Sequence, residues 1–192
     1  PIFVEWRPAS STSAFILRNT RYYYDNPTQQ NSFDSAMQLE GMKGNGAPIA
    51  LPLDTRGQAA VIELANAKNS TVHAAVKFYS ADGTRLQSKN ISLKAYSSTL
   101  LDVNAVLANG IGSVTINGDK TESILASAVH YTRTASLGLS SAYGVSAKEA
   151  LGSALRGSYN TFLGQSCELF LANTSAHEVE ITLGMTRLDG TE

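Results

Sequence analysis

Val72-His73-Ala74-Ala75-Val76-Lys77-Phe78-Tyr79, then Ser80-Ala81-Asp82-Gly83-Thr84, then Arg85-Leu86-Gln87: the fold is decided on this stretch. Val72, Ala74, Val76 and Phe78 fall on one side, and His73, Ala75, Lys77 and Tyr79 on the other. A period of two with one apolar face is the pattern of a half-buried strand. Asp-Gly between alternating segments is a strong hairpin signal, and Gly83 would supply the positive φ of a primed turn. In the return strand, Arg85–Leu93, the apolar set changes parity between Leu86 and Ile91, which predicts a bulge or bend there.

Working outward, Gln58–Ala65 is a mostly apolar strand ended by the loop Asn66-Ala67-Lys68-Asn69-Ser70. Thr99–Val103, Gly112–Asn117 and Ser123–Tyr131 read as further strands. Asn104–Gly110 reads as one helical turn closed at Asn109-Gly110. In the last strand Ile124, Ala126, Ala128 and His130 alternate with Leu125, Ser127, Val129 and Tyr131, so both faces are expected to be covered. Six or seven short strands at this spacing make an all-β chain, an antiparallel β-sandwich. One short helix is expected, over Ala147–Leu155, where Ser146-Ala147-Lys148-Glu149 has the form of a capping box.

The chain also repeats itself. Residues 57–84 lie over 164–191 without a gap, with nine of 28 positions identical: Gly57, Gln58, Leu64, Ala65, Asn66, Val72, Asp82, Gly83, Thr84 and their partners. Unrelated segments would share roughly two, so the match is a repeat. A weaker match sets 113–133 over 1–21, with Ala126, Thr132 and Arg133 on Ala14, Thr20 and Arg21. Ser35-Ala36 over Ser141-Ala142 relates the connectors as well. The expected organisation is a complete unit at 57–133 and connectors at 22–56 and 134–163, the second carrying the short helix. Residues 1–21 would be closing strands of a partial unit. Residues 164–192 would be opening strands of a second unit, completed by 1–21 of the same or a neighbouring chain, or by continuation of a longer array.

Composition sets the outer bounds. Of 192 residues 43% are hydrophobic, enough for a core, and 16% are charged, where a quarter is usual. A net charge of −1 argues against a nucleic-acid partner, which needs a basic stripe. No apolar run is long enough for a membrane span. Serine and threonine, 22 and 16 residues, fill the place of the missing charge.

At Leu64-Ala65-Asn66, at Val76 through Thr84, and at Ala95 through Val103, the chain resembles the tandem immunoglobulin-like β-sandwich repeats of bacterial secreted and cell-surface proteins. The shared outline is a strand ending in an asparagine turn, a strand leading to an Asp-Gly hairpin, a return strand and a small polar turn. The resemblance covers about 77 residues fully and both ends in part, and the two connectors depart from it. It implies an extracellular or surface location and a β-sandwich, and carries no catalytic signature.

The residues themselves point the same way. His73, His130 and His177 do not recur between units and lack metal-ligand spacing. Cys167 lies over Ala60 in an apolar strand and reads as a small core residue. No nucleophile elbow, phosphate loop or calcium loop is present. The chain is therefore expected to be no enzyme and to need no cofactor or metal. Tyr22-Tyr23-Tyr24 exceeds its background: on a strand, three successive tyrosines turn at least one ring outward. Those rings and Trp6 are the candidate interaction residues, suited to sugar stacking or contact with another protein.

The expected function is a non-enzymatic structural or assembly module, part of a surface fibre, stalk or filament built by strand pairing between repeats. Its partners would be copies of itself or neighbouring repeats. The alternatives are a carbohydrate- or surface-binding module and an accessory domain of a secreted hydrolase.

Overall fold

A computed structural model describes residues 18–24, 28, 33–40, 42, 48–133, 139–149, 168–175 and 177–184. These residues hold eleven strands and no helix. The strands are β1 (Arg18–Tyr24), β2 (Phe33–Glu40), β3 (Ile49–Asp54), β4 (Ala59–Asn66), β5 (Val72–Ser80) and β6 (Arg85–Leu93). They continue as β7 (Ser98–Asp102), β8 (Ile111–Gly118), β9 (Ile124–Arg133), β10 (Leu139–Ser146) and β11 (Lys148–Glu149). Two antiparallel sheets, ordered β10-β9-β4-β7 and β11-β3-β8-β5-β6, enclose one core. The chain is thus all-β, a two-sheet sandwich over 49–149.

Alternation builds that core. From β4 come Ala60, Ile62 and Leu64; from β5 Val72, Ala74, Val76 and Phe78; from β8 Val114 and Ile116. These side chains are at most 1% exposed, and burying a large aliphatic or aromatic side chain is worth about 1.5–3 kcal/mol. β6 is an edge strand, mostly exposed, with Arg85 and Lys89 along it; charge on an edge discourages unwanted strand addition.

The hairpin expected at Asp82-Gly83 is present, in another turn type. Gly83 N–H donates to Ser80 O (3.0 Å) and Ser80 N–H to Thr84 O (3.0 Å). Gly83 has φ +84°, whereas Ala81 and Asp82 do not have positive φ. The loop is therefore an ordinary turn followed by a left-handed glycine, the three-residue hairpin form, where a primed turn was expected. The bulge falls at Leu86, because Phe78 faces Gln87 while Tyr79 faces Arg85. At 103–110, Leu107 N–H donates to Val103 O (2.8 Å), one helix-like turn, with Asn109 left-handed (φ 48°).

Both connectors differ from expectation. Strands β2 and β3 lie within 22–56, and β3 sits inside the five-stranded sheet between β8 and β11. Strands β10 and β11 lie within 134–163. The capping-box reading fails where it can be tested: Ser146 ends β10, Ala147 N–H donates to Ala126 O (2.8 Å), and Lys148-Glu149 pairs with Ala50-Ile49. The backbone groups that a helix would begin with are already used in sheets. The rest of that expected helix, 150–155, lies outside the described residues. Numbered as the seven strands of a constant immunoglobulin domain, β3–β9 also depart from its layout. The first strand lies beside the sixth, and the seventh beside the second.

A third layer covers β9. The β1–β2 hairpin packs Met37 and Leu39 on Val129, with Tyr23, Tyr131 and Ala142 around them. Gly144 permits this approach, since a Cβ there would stand 2.3 Å from a Leu39 methyl. Residues 126–130 of β9 are buried without interruption, as the sequence led us to expect.

Candidate interaction surface

Asn66 closes the strand β4 by capturing its own turn. Its Oδ1 accepts from Lys68 N–H (2.8 Å), and its Nδ2 donates to the carbonyls of Ser70 (2.8 Å), Leu93 (3.2 Å) and Lys94 (2.9 Å). Asparagine does this because its amide mimics the backbone two residues on. The aligned turn, 107 residues later, makes the same local bonds. Asn173 Oδ1 accepts from Ser175 N–H (2.9 Å), and Asn173 Nδ2 donates to His177 O (2.7 Å).

The flanking residues share a pattern but not an environment. Leu169, Leu171, Val179, Ile181 and Leu183 are 51–65% exposed. Their aligned partners Ile62, Leu64, Val72, Ala74 and Val76 are at most 1% exposed. In the sandwich, β4 lies between β9 and β7, and β5 between β8 and β6; 168–175 and 177–184 are in no sheet. Among the described residues, no strand or sheet lies over these five apolar side chains, which recur at strand spacing. Isolated exposed leucines are ordinary, but an apolar face of this kind marks an interaction site.

The tyrosines divide as alternation requires. Tyr22 and Tyr24 are exposed (60% and 43%), whereas Tyr23 turns inward, edge-on to Tyr131 with ring centroids 6.1 Å apart. Beside it Arg21 forks onto the Glu63 carboxylate, which raises the arginine pKa further. Burial pushes the Tyr131 hydroxyl up to about 12. Trp6 and Cys167 lie outside the described residues.

Of the histidines, His73 and His177 are exposed, and His130 is buried within β9. Its Nδ1 lies 2.9 Å from Asp54 O, and its ring stacks on Tyr143 at 4.5 Å. Desolvation lowers its pKa against the smaller opposing pull of Asp54. Nearby, Arg56 binds both Asp54 oxygens (3.0 and 2.8 Å) and holds that carboxyl below its ordinary range. Among the described residues no three His, Cys, Asp or Glu side chains gather as a metal site would need. No helix there is long and apolar enough to cross a membrane.

The sequence pointed to the tyrosines and to 164–192 as strands. It did not single out Arg56, Glu168 or Phe170, which lie more than 100 residues apart in part and meet only in the fold.

No family model and no curated protein matches the chain. Among solved structures, the crystal structure of Thermotoga maritima 1070 is similar at a TM-score of 0.43 and 10% identity, covering 57% of this chain and 98% of that one. A likeness that low carries no argument about fold or function.

Proposed function

We propose that this chain is a non-enzymatic module of a bacterial surface fibre or stalk, assembled by strand pairing between β-sandwich repeats. One observation carries the reading: the apolar set of 168–184 is exposed where the aligned set of β4 and β5 is core. With its asparagine turn already closed, the segment is the opening of a second sandwich. The strands that would complete it belong to a neighbouring repeat. Pairing would satisfy open backbone groups and bury the apolar face together. If the neighbour is a second molecule, the contact is head-to-tail and propagates. The strands β1 and β2 are engaged on β9 of their own unit.

The test is the variant Leu171→Asp with Ile181→Asp, followed by sedimentation and negative-stain imaging. Loss of assembly with an unchanged urea midpoint for the 49–149 sandwich is the expected result. A parent chain that stays monomeric at high concentration, or a variant that assembles normally, would overturn it.

A second reading has its own observation. Tyr22 and Tyr24 are two exposed tyrosines at alternate positions of β1, a residue type suited to stacking on sugar. Binding on a glycan array that is abolished by Tyr22→Ala with Tyr24→Ala would favour a carbohydrate partner.

A further inference from the structure

We propose that residues 168–174 are a shared wall between consecutive repeats, with Glu168 and Phe170 set against the finished sandwich and Leu169 and Leu171 left for the second core. Glu168 accepts from Arg56 (2.7 Å), whose guanidinium is already held by Asp54. Phe170 is half-buried and lines a shallow, open pocket of about 40 Å³ with Pro52, Leu53, His130, Tyr143 and Val145. It is the one described residue of 168–184 that is not exposed. Ala172 and Thr174 continue along a groove of about 590 Å³ between β10 and the β3–β11 edge. From 168 to 171 the side chains therefore alternate: Glu168 and Phe170 meet the sandwich, while Leu169 and Leu171 are exposed.

A separate contact follows the same rule. The corresponding outer face of β4 carries Val61, Glu63 and Ala65, and there Glu63 is gripped by Arg21 of β1, from the chain preceding the sandwich. In both places an arginine from earlier in the chain meets a glutamate, on the outer face of β4 in one case and on the extended segment at 168 in the other. Repeats joined this way stand side by side in a set orientation, unlike beads on a slack linker. The partner of this face is the preceding repeat of the same chain. Solvent exposure of Arg56 and Glu168 makes their ion pair a weak contributor, so orientation rests chiefly on Phe170.

This inference rests on reading 164–192 as a second unit, but its test measures the joint alone. In dilute monomeric chain, nuclear Overhauser cross-peaks are expected from the Phe170 ring to Val145 and Pro52, and none from the Leu169 methyls. Arg56→Glu should weaken those cross-peaks only slightly, and Arg56→Glu with Glu168→Arg should restore them. Phe170→Ser should remove the contact while β4–β9 cross-strand peaks persist. A Phe170 ring with no cross-peak to Val145 or Pro52 in the parent overturns the joint, whatever assembly shows. Equal contacts from Leu169 and Phe170 would overturn it too.

Discussion

Residues 59–80 and 168–184 carry one pattern in two environments. Each has a strand-period apolar row, an asparagine whose amide ties down the following loop, and a second apolar row. In the first region the rows are sealed between two sheets; in the second they face solvent. The turn forms in both because its bonds are local, four residues or fewer apart. Burial differs because it depends on partners far along the chain: β9 is more than 50 residues from β4. A side chain's inward role is thus written by its neighbours in space.

Substitution at aligned leucines should separate the regions most. Leu64→Ala is expected to cost about 2–5 kcal/mol in urea unfolding, the range for a buried leucine left as a cavity. Leu171→Ala in dilute chain should change the same unfolding free energy by less than about 0.5 kcal/mol. Equal effects would mean that 168–184 is packed in solution and would break the contrast.

The asparagines give a finer test. Asn66→Ala removes bonds to three carbonyls in a buried setting and should cost about 1–3 kcal/mol. Asn173→Ala loses only the exposed local pair and should cost a few tenths of a kcal/mol in the monomer. A large effect at Asn173 that appears only on assembly would sharpen the case for a second core.

Acid should act on the first region. The His130 pKa is lowered in the fold, so the unfolded chain takes up a proton first as pH falls. Stability from this group is full above about pH 6.5 and declines below it until the lowered native pKa is passed, with a slope of at most about 1.4 kcal/mol per pH unit. The Asp54 contribution is lost separately, as pH falls below about 4. Urea midpoints from pH 7.5 to 4.5 should show the histidine slope, and His130→Gln should flatten it above pH 4.5. A slope that survives the substitution would assign the effect elsewhere.

Much of the sandwich could be read from residue order. The strands β4 to β9 stand within two residues of their expected bounds, since alternation and turn residues mark both faces and ends. The two-sided burial of β9 was also legible, from apolar residues at both parities. What escaped was β3, whose alternation of Ile49, Leu51 and Leu53 is interrupted by Pro52. Proline discourages an interior strand assignment, yet here β11 reaches only Ile49 and Ala50, leaving Pro52 at an open edge. The small, polar Leu139–Ser146 gives too weak a pattern to name β10, and Ser146 with Glu149 imitates a helix start. Tyr22 and Tyr24 could be assigned outward by parity, but the docking of Phe170 could not.

The sequence by itself determined the all-β architecture, the Asp-Gly hairpin, the asparagine turns and the apolar face of each central strand. These follow from backbone sterics and side-chain period, which act within a few residues. Only the tertiary structure decided which strands share a sheet, that β1–β2 forms a layer over β9, and that one aligned apolar row is core while the other is open. Those outcomes depend on contacts between distant segments, where the free energy of burial is gained only once a partner surface is in place.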